Sequence, residues 1–260
     1  MSLPIGMRKV LVTGGGSGIG RAVALAIAAA GGQVLIVGRR RERLEAVQAE
    51  AGSGVEILQM DLVDDAARAG LVRKARDLLG GLDGLVHAAG DVVHELPGFI
   101  DERAMRAQLE LNLVAPLRLG EEALALLDEG GGVVFVSSTL AKRPVLTSAV
   151  YSAAKAGLQA AMSSLALAGA GRRIRFNAVA PGLVDTEMVR SLRLGPGEPA
   201  PEGEERERRV ETQLQTLAAL APLGRLGEAE EVARAILHLL GAPFTTGATL
   251  TVDGGLLLRE

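Results

Sequence analysis

Seven short runs of β-branched and aliphatic residues alternate with six long Ala/Leu-rich stretches along the chain, and that alternation constrains the fold more than any other feature. The runs occupy 9–13, 33–37, 55–60, 82–88, 132–137, 173–179 and 248–252. They are continuously apolar rather than alternating, the pattern of strands covered on both faces. The stretches between them, 18–31, 39–51, 64–79, 101–127, 152–169 and 229–240, read as helices. Strand and helix in regular succession predict an α/β fold, a single doubly wound parallel sheet flanked by helices over 1–260. One segment breaks the rhythm. Residues 194–211, LGPGEPAPEGEERERRVE, are rich in Pro, Gly and charge. They are expected to form a solvated insertion, with a flap over a site as the alternative.

Composition removes several classes of function. A formal net charge of −3 gives no electrostatic case for nucleic acid or an anionic membrane. The absence of cysteine excludes disulfides, thiolate nucleophiles and Cys-ligated metals. His87, His94 and His238 are too dispersed for a metal-ligand spacing, so no metal site is expected. No apolar run reaches the length of a membrane span, and the opening MSLPIGMRKVLVTG lacks the apolar stretch of a signal peptide. The expectation is a cytoplasmic protein.

The first run is followed by TGGGSGIG, Thr13 to Gly20, and then by an Ala-rich helix. A helix start offers unpaired N–H groups and the positive end of a dipole, which suits a pyrophosphate. Glycines let the backbone approach that phosphate and let helix pack on strand. The spacing is G-x-x-x-G-x-G rather than the G-x-G-x-x-G of the usual dinucleotide turn. The second run ends in Gly38, where a nucleotide with a free ribose 2′-OH would be expected to meet an acid; Arg39, Arg40 and Arg41 follow. Guanidinium groups favour a 2′-phosphate, and three cations at a helix start oppose its dipole, an odd choice if structure alone were served.

Tyr151 is the only tyrosine, and Lys155 lies four residues on. On a helix the two share a face. The pair follows a strand ending in Ser137 and Ser138, at the edge where open α/β sheets bind ligands. Hydride transfer to a carbonyl needs a proton donor. A phenol at its ordinary pKa of about 10 is a poor one near neutrality. A neighbouring ammonium is expected to lower it.

These features, together with Asp61 after the third run, HAAG at 87–90, Asn112, PGLVDT at 181–186 and VDGG at 252–255, resemble the short-chain dehydrogenase/reductase family nearly from end to end. The resemblance implies a single Rossmann-like domain with a seven-stranded parallel sheet and a variable substrate loop at about 187–221. It implies Tyr151 as acid/base, Lys155 as its helper and a ribose ligand, Ser138 rather than Ser137 as the substrate-orienting hydroxyl, and Asn112 positioning a water in a proton relay. Cofactor contacts would come from Thr13, Gly14, Gly16, Ser17, Gly18, Ile19 and Gly20, from Arg39 and Arg40, from Asp61 at the adenine with Leu62, and from Ala88, Ala89 and Gly90. Pro181, Gly182, Val184 and Thr186 would lie at the nicotinamide, with Met188, Val189, Leu192 and Leu194 as an apolar wall beyond. Departures from the family pattern are His87 and Ala88, where asparagines are usual, and Ser17, where many NADP-dependent relatives carry a basic residue. His87 is expected to be buried and satisfied, His94 to be a loop residue with some claim to face substrate, and His238 to serve surface or packing.

The implied cofactor is NADP(H), with NAD(H) the alternative, and the implied partners are a small carbonyl or alcohol substrate and copies of the chain, as a tetramer or dimer packed through 101–127 and 152–169. A narrower version is a 3-oxoacyl-[acyl-carrier-protein] reductase, suggested by APLGRLGEAEEVA and TLTVDGG, with Arg172 and Arg173 as docking residues. The acidic LDEGGG at 127–132 speaks against it. A nucleotide-binding regulatory protein without catalysis is the reading from another class, and the retained Ser138, Tyr151 and Lys155 oppose it.

Overall fold

The computed structural model describes residues 9–193 and 198–259. Its seven strands are β1 (Lys9–Thr13), β2 (Gln33–Gly38), β3 (Val55–Gln59), β4 (Gly84–His87), β5 (Gly132–Val136), β6 (Arg175–Pro181) and β7 (Thr249–Val252). They form one sheet in the order β3-β2-β1-β4-β5-β6-β7, and every pairing is parallel. The order reverses between β1 and β4, so a crevice opens at their carboxyl ends, where Thr13 pairs with His87.

The continuous apolar runs have a simple cause. Successive residues of a strand point to opposite faces. Val10 and Val12 enter one core with α1 (Gly18–Ala29), α2 (Arg41–Ala51) and α10 (Ala229–Gly241), while Leu11 enters the other with α4 (Leu71–Leu79), α6 (Ala115–Leu126) and α7 (Ala149–Gly169). Both faces are covered, so both parities are apolar.

Three expected elements differ. The stretch 64–79 is two helices, α3 (Asp65–Arg68) and α4, because Gly70 stands between them at φ +74°, outside the helical range. The stretch 101–127 contains α5 (Glu102–Leu109), a π-helical turn at Glu110–Val114, and α6. Ala115 N–H reaches back to Glu110, and Pro116, lacking an N–H, cannot restore the ordinary ladder to Asn112. The third difference is a helix where an insertion was expected. After the short α8 (Glu187–Arg190), α9 spans Gly203–Ala218. Its charged residues are good helix formers, Glu204 and Glu205 suit the first turn, and Val210, Leu214 and Leu217 bury one stripe. The Pro/Gly bias ends where α9 begins. Among the described residues, no helix is long and apolar enough to cross a membrane.

Candidate active site

The nucleotide side is built from backbone. Gly14 follows β1 at φ +68° and donates to Val37 O at 2.8 Å; a Cβ there would meet Ala89 N at 2.7 Å. A Cβ on Gly20 would sit 2.3 Å from Gly14 O. Only hydrogen fits at either point, so strand, turn and helix close on one another. The start of α1 has Ser17 as N-cap without a side-chain capping bond, and no acid in its first turn. Those helix-start donors suit a pyrophosphate. Gly16, Ser17, Gly38, Arg39, Asp61 and Leu62 line one groove with Ala89 and Gly90. Gly18, Ile19, Ala88, Pro181, Gly182, Val184 and Thr186 line its continuation, so the predicted cofactor residues gather along one cleft. Thr13 is the exception in kind: it is buried beneath the turn, and its hydroxyl bonds His87 Nδ1 at 3.0 Å and accepts from Ala89 N at 3.3 Å.

Asp61 forms a local turn, accepting from Val63 N at 3.1 Å, and the cap of α3 is Asp64. The Asp61 carboxylate therefore stands in the groove rather than at the helix start. Arg39 makes no side-chain bond among the described residues. Arg40 and Arg43 both reach Glu187, each at 2.8 Å. Sequence reading missed Arg43 and Glu187. Arg43 lies one helical turn beyond Arg39 and Arg40, a signal that was available. Glu187 arrives from 147 residues away and had none.

The catalytic candidates meet where α7 passes the end of β5. Ser137 is used inside the protein, donating to Lys155 O at 3.3 Å and accepting from Gln159 Nε2 at 2.8 Å. Ser138 lies at the site, its Oγ accepting from Leu140 N at 3.1 Å and interacting with the Tyr151 phenol. Tyr151 and Lys155 are both buried, with Lys155 Nζ 5.6 Å from the ring centroid and donating to Val136 O at 2.9 Å.

The expected lowering of the phenol by its lysine is not what the protein's own groups produce. Burial pushes Tyr151 up to about 12, the Ser138 hydrogen bond offsets part of this, and Asp91 adds to the rise. Burial also pulls Lys155 down to about 7. A lysine that loses its proton near neutrality is a weak electrostatic helper. In this desolvated setting burial is the largest influence on both groups.

Asn112 is fully buried within the π-helical turn. Its Nδ2 donates to Asp91 O at 2.9 Å and Gln108 O at 3.0 Å, while Oδ1 has no partner. A Cβ on Gly90 would lie 2.9 Å from that oxygen and 3.4 Å from Lys155 Nζ. An orphaned acceptor, the Lys155 Nζ and a missing side chain thus surround one point beside the phenol, and the residues fit a nucleotide's ribose with a water. His87 is fully buried, as expected, but only half satisfied: Nε2 has no bonding partner. Burial first, and Lys155 second, pull it down to about 3.

Beyond Tyr151 lies a second cavity of about 310 Å³. Val145, Met188, Val189, Leu217 and Leu220 make it mainly apolar, with His94, Thr139, Arg143, Arg193 and Arg259 as polar members besides Ser138 and Tyr151. His94 is held by Thr147 Oγ1 at 3.2 Å. Met188 and Val189 lie where the apolar wall was expected. Leu192 faces a separate hollow beside α9, and Leu194 lies outside the described residues. Leu217 was unforeseen because its helix was. His238 is on the surface of α10. Among the described residues no cluster could hold a metal ion. Arg172 and Arg173 lie elsewhere: Arg172 binds the Leu124 and Leu127 carbonyls at the end of α6, and Arg173 pairs with Glu129.

Comparison with known proteins agrees with this geometry. Residues 14–257 match the family model described as enoyl-(acyl carrier protein) reductase. Carbonyl reductase family member 4 of Xenopus tropicalis is 33% identical over 97% of this chain and 100% of its own. The cis-4-hydroxycyclohexanecarboxylate dehydrogenase of Sinomonas cyclohexanicum is 36% identical over 95% of this chain and 96% of its own. A short-chain dehydrogenase/reductase from Serratia marcescens superposes with a TM-score of 0.83 at 31% identity, covering 97% of this chain and 99% of that one. A cleft lined by the glycine-rich turn ends at a Ser-Tyr-Lys cluster, and relatives match over nearly the whole length; the chain belongs to the short-chain dehydrogenase/reductase family of oxidoreductases, which use nicotinamide nucleotides.

Proposed function

We propose that this protein is an NADP(H)-dependent oxidoreductase that interconverts a hydroxyl and a carbonyl on a small or medium, mainly apolar substrate. One observation carries the reading: Tyr151 and Ser138 belong to both cavities, the nucleotide cleft and the apolar pocket. Any molecule filling the pocket meets a phenol and a hydroxyl at the point where the nucleotide cleft ends. When bound, the nicotinamide would supply or accept the hydride. Ser138 Oγ holds the substrate oxygen, and Tyr151 gives its proton to that oxygen in reduction or takes it in oxidation. Lys155 binds the ribose and, when protonated, favours phenolate. Asn112 Oδ1 holds a water through which the proton is replaced.

Preference for NADP(H) is supported by Arg39, Arg40 and Arg43 around the groove mouth and by Gly38 where an acid would otherwise receive a 2′-OH. The relatives' names share carbonyl and alcohol chemistry but differ in substrate, so they support the reaction class alone. Carrier-bound 3-oxoacyl groups are the less favoured substrate, because Arg172 and Arg173 are already engaged within the protein. A cytoplasmic, homo-oligomeric enzyme completes the proposal. The sheet edge at β7 exposes Leu250, and Phe244 nearby is fully exposed, surfaces that suit a second copy. A light-scattering mass near the 26.8 kDa monomer would overturn that part.

The test is nucleotide oxidation with NADPH and NADH across a panel of apolar ketones and alcohols, in the parent and in Gly38→Asp/Arg39→Ala. The parent should favour NADPH by about ten- to a hundred-fold in kcat/KM, the worth of a charge-assisted contact. The double variant should reverse the ratio. No turnover with any member of the panel, or a parent that favours NADH, would refute the reading.

A further inference from the structure

Glu187 follows the Thr186 cap and opens α8, on the far lip of the cleft from α2. Its Oε2 accepts from Arg40 Nη2 and its Oε1 pairs with Arg43 Nη2, both at 2.8 Å. Arg40 Nη2 is also 3.3 Å from Ser17 Oγ at the glycine-rich turn. One carboxylate thus bridges the two guanidinium groups that border the groove. A guanidinium fork presents the same donors to carboxylate and phosphate. We propose that Glu187 is a cofactor-specificity residue, whose carboxylate competes with the 2′-phosphate of NADP(H) for Arg40 and Arg43. The inference rests on the reading that those arginines meet that phosphate.

Three features make the bridge a competitor rather than a fixed brace. All three side chains are roughly half exposed, and exposed ion pairs contribute little to stability. A phosphate brings up to two charges and three acceptor oxygens against the carboxylate's one charge and two oxygens, so it wins the donors. Glu187 remains tethered beside the site after losing them, because Thr186 packs against the Gly18 turn, where a Cβ would meet Thr186 Cγ2 at 3.2 Å. The two ion pairs that must break and the charge left a few ångströms from the phosphate together weaken its binding by roughly three- to ten-fold at moderate salt. The arginines hold the Glu187 carboxyl below its ordinary value, the Arg40 hydrogen bond foremost, so it is charged at neutral pH.

The experiment is calorimetric titration of adenosine 2′,5′-bisphosphate and of 5′-AMP into the parent, E187Q and E45Q at one salt concentration. Glu45 serves as control because its carboxylate pairs with Arg41 on the same helix, 2.8 Å from Nε. E187Q should bind the bisphosphate about three- to ten-fold more tightly with AMP changed less than two-fold, and E45Q should move neither by more than two-fold. In an Arg40→Ala/Arg43→Ala background nothing is left to compete for, and the gain from E187Q should shrink to the part that direct repulsion supplies. If the parent prefers the bisphosphate and E187Q leaves that preference unchanged, the competition is refuted while the NADP(H) reading stands. If neither protein discriminates, both fall. If only E187Q discriminates, the competition holds and masks the arginines in the parent.

Discussion

The two ends of the cleft are made of different material. Around the glycine-rich turn the innermost wall is backbone: Gly20 lies against Gly14 O and Gly14 against the Ala88–Ala89 segment, while side chains such as Arg39, Arg40, Arg43 and Asp61 enter at the mouth. Around the apolar pocket the walls are side chains drawn from distant segments, among them Val145, Met188, Leu220 and Leu257, several of them partly exposed. Backbone packed to contact distance has no room to vary, so it fixes what is common to every reaction, the nucleotide. Side chains on partly exposed elements can change size without disturbing the sheet, so they set what differs, the substrate. Tyr151 and Ser138 stand on the boundary and belong to both.

The largest expected effect lies on that boundary. Tyr151→Phe keeps the ring and removes the proton. Turnover should fall by about 10²–10⁴-fold, the usual worth of general acid catalysis. Nucleotide affinity should stay within about three-fold, as expected for a group acting only in the chemical step. Steady-state rates and a binding titration on the same preparation decide it. A variant with near-parental turnover would remove Tyr151 from the chemistry.

The next effect separates the walls. Gly20→Ala forces a methyl into a backbone oxygen and should lower stability by about 1–3 kcal/mol while weakening nucleotide binding. A denaturant midpoint equal to the parent's would show that the turn is looser than its geometry.

The same difference in material explains what could be read from the sequence. The sheet, its parallel pairing and the Gly-rich turn were legible because each follows from local spacing: apolar runs of strand length, and glycines where a side chain would collide. Ser138, Tyr151 and Lys155 were legible as an ordered set rather than one by one. What escaped depends on long-range burial. The half-satisfied His87, the phenol raised rather than lowered, and Glu187 bridging Arg40 and Arg43 all come from segments that meet only after folding. The π-helical turn lies inside a stretch whose periodicity predicts one continuous helix, because its single extra residue before Pro116 leaves the apolar pattern intact. Helix α9 escapes for another reason: the Pro/Gly-rich stretch before it masks the helix-forming charged residues that follow.

His87 offers a pH test of the nucleotide side. Its folded pKa of about 3 lies below its ordinary 6.5, so the unfolded chain binds more protons between those values. Stability contributed by neutral His87 is present above about pH 6.5 and is lost as pH falls toward 3, at up to about 1.4 kcal/mol per unit. His87→Asn should flatten that part of the acid-denaturation curve. An unchanged slope would mean that the imidazole gains water, and its proton, without unfolding.

The smallest expected effect belongs to the substrate side and tests whether its walls vary freely. Leu220 lines the pocket yet is 42% exposed, so Leu220→Ala removes apolar contact without opening a sealed cavity. Stability should change by no more than about 0.5 kcal/mol, as for other surface positions. A substrate large enough to reach residue 220 loses part of a side chain's burial, on the order of 1 kcal/mol, so its KM should rise about five-fold. A short ketone that stops at Ser138 should be unaffected, and kcat should hold for both, because the lost contact is the same in ground and transition states. Measuring the two substrates side by side makes the outcome specific. Equal losses for both would mean that the turn after α9 supports the catalytic cluster itself, and the contrast between a fixed nucleotide wall and a variable substrate wall would fail at the place where it is most exposed.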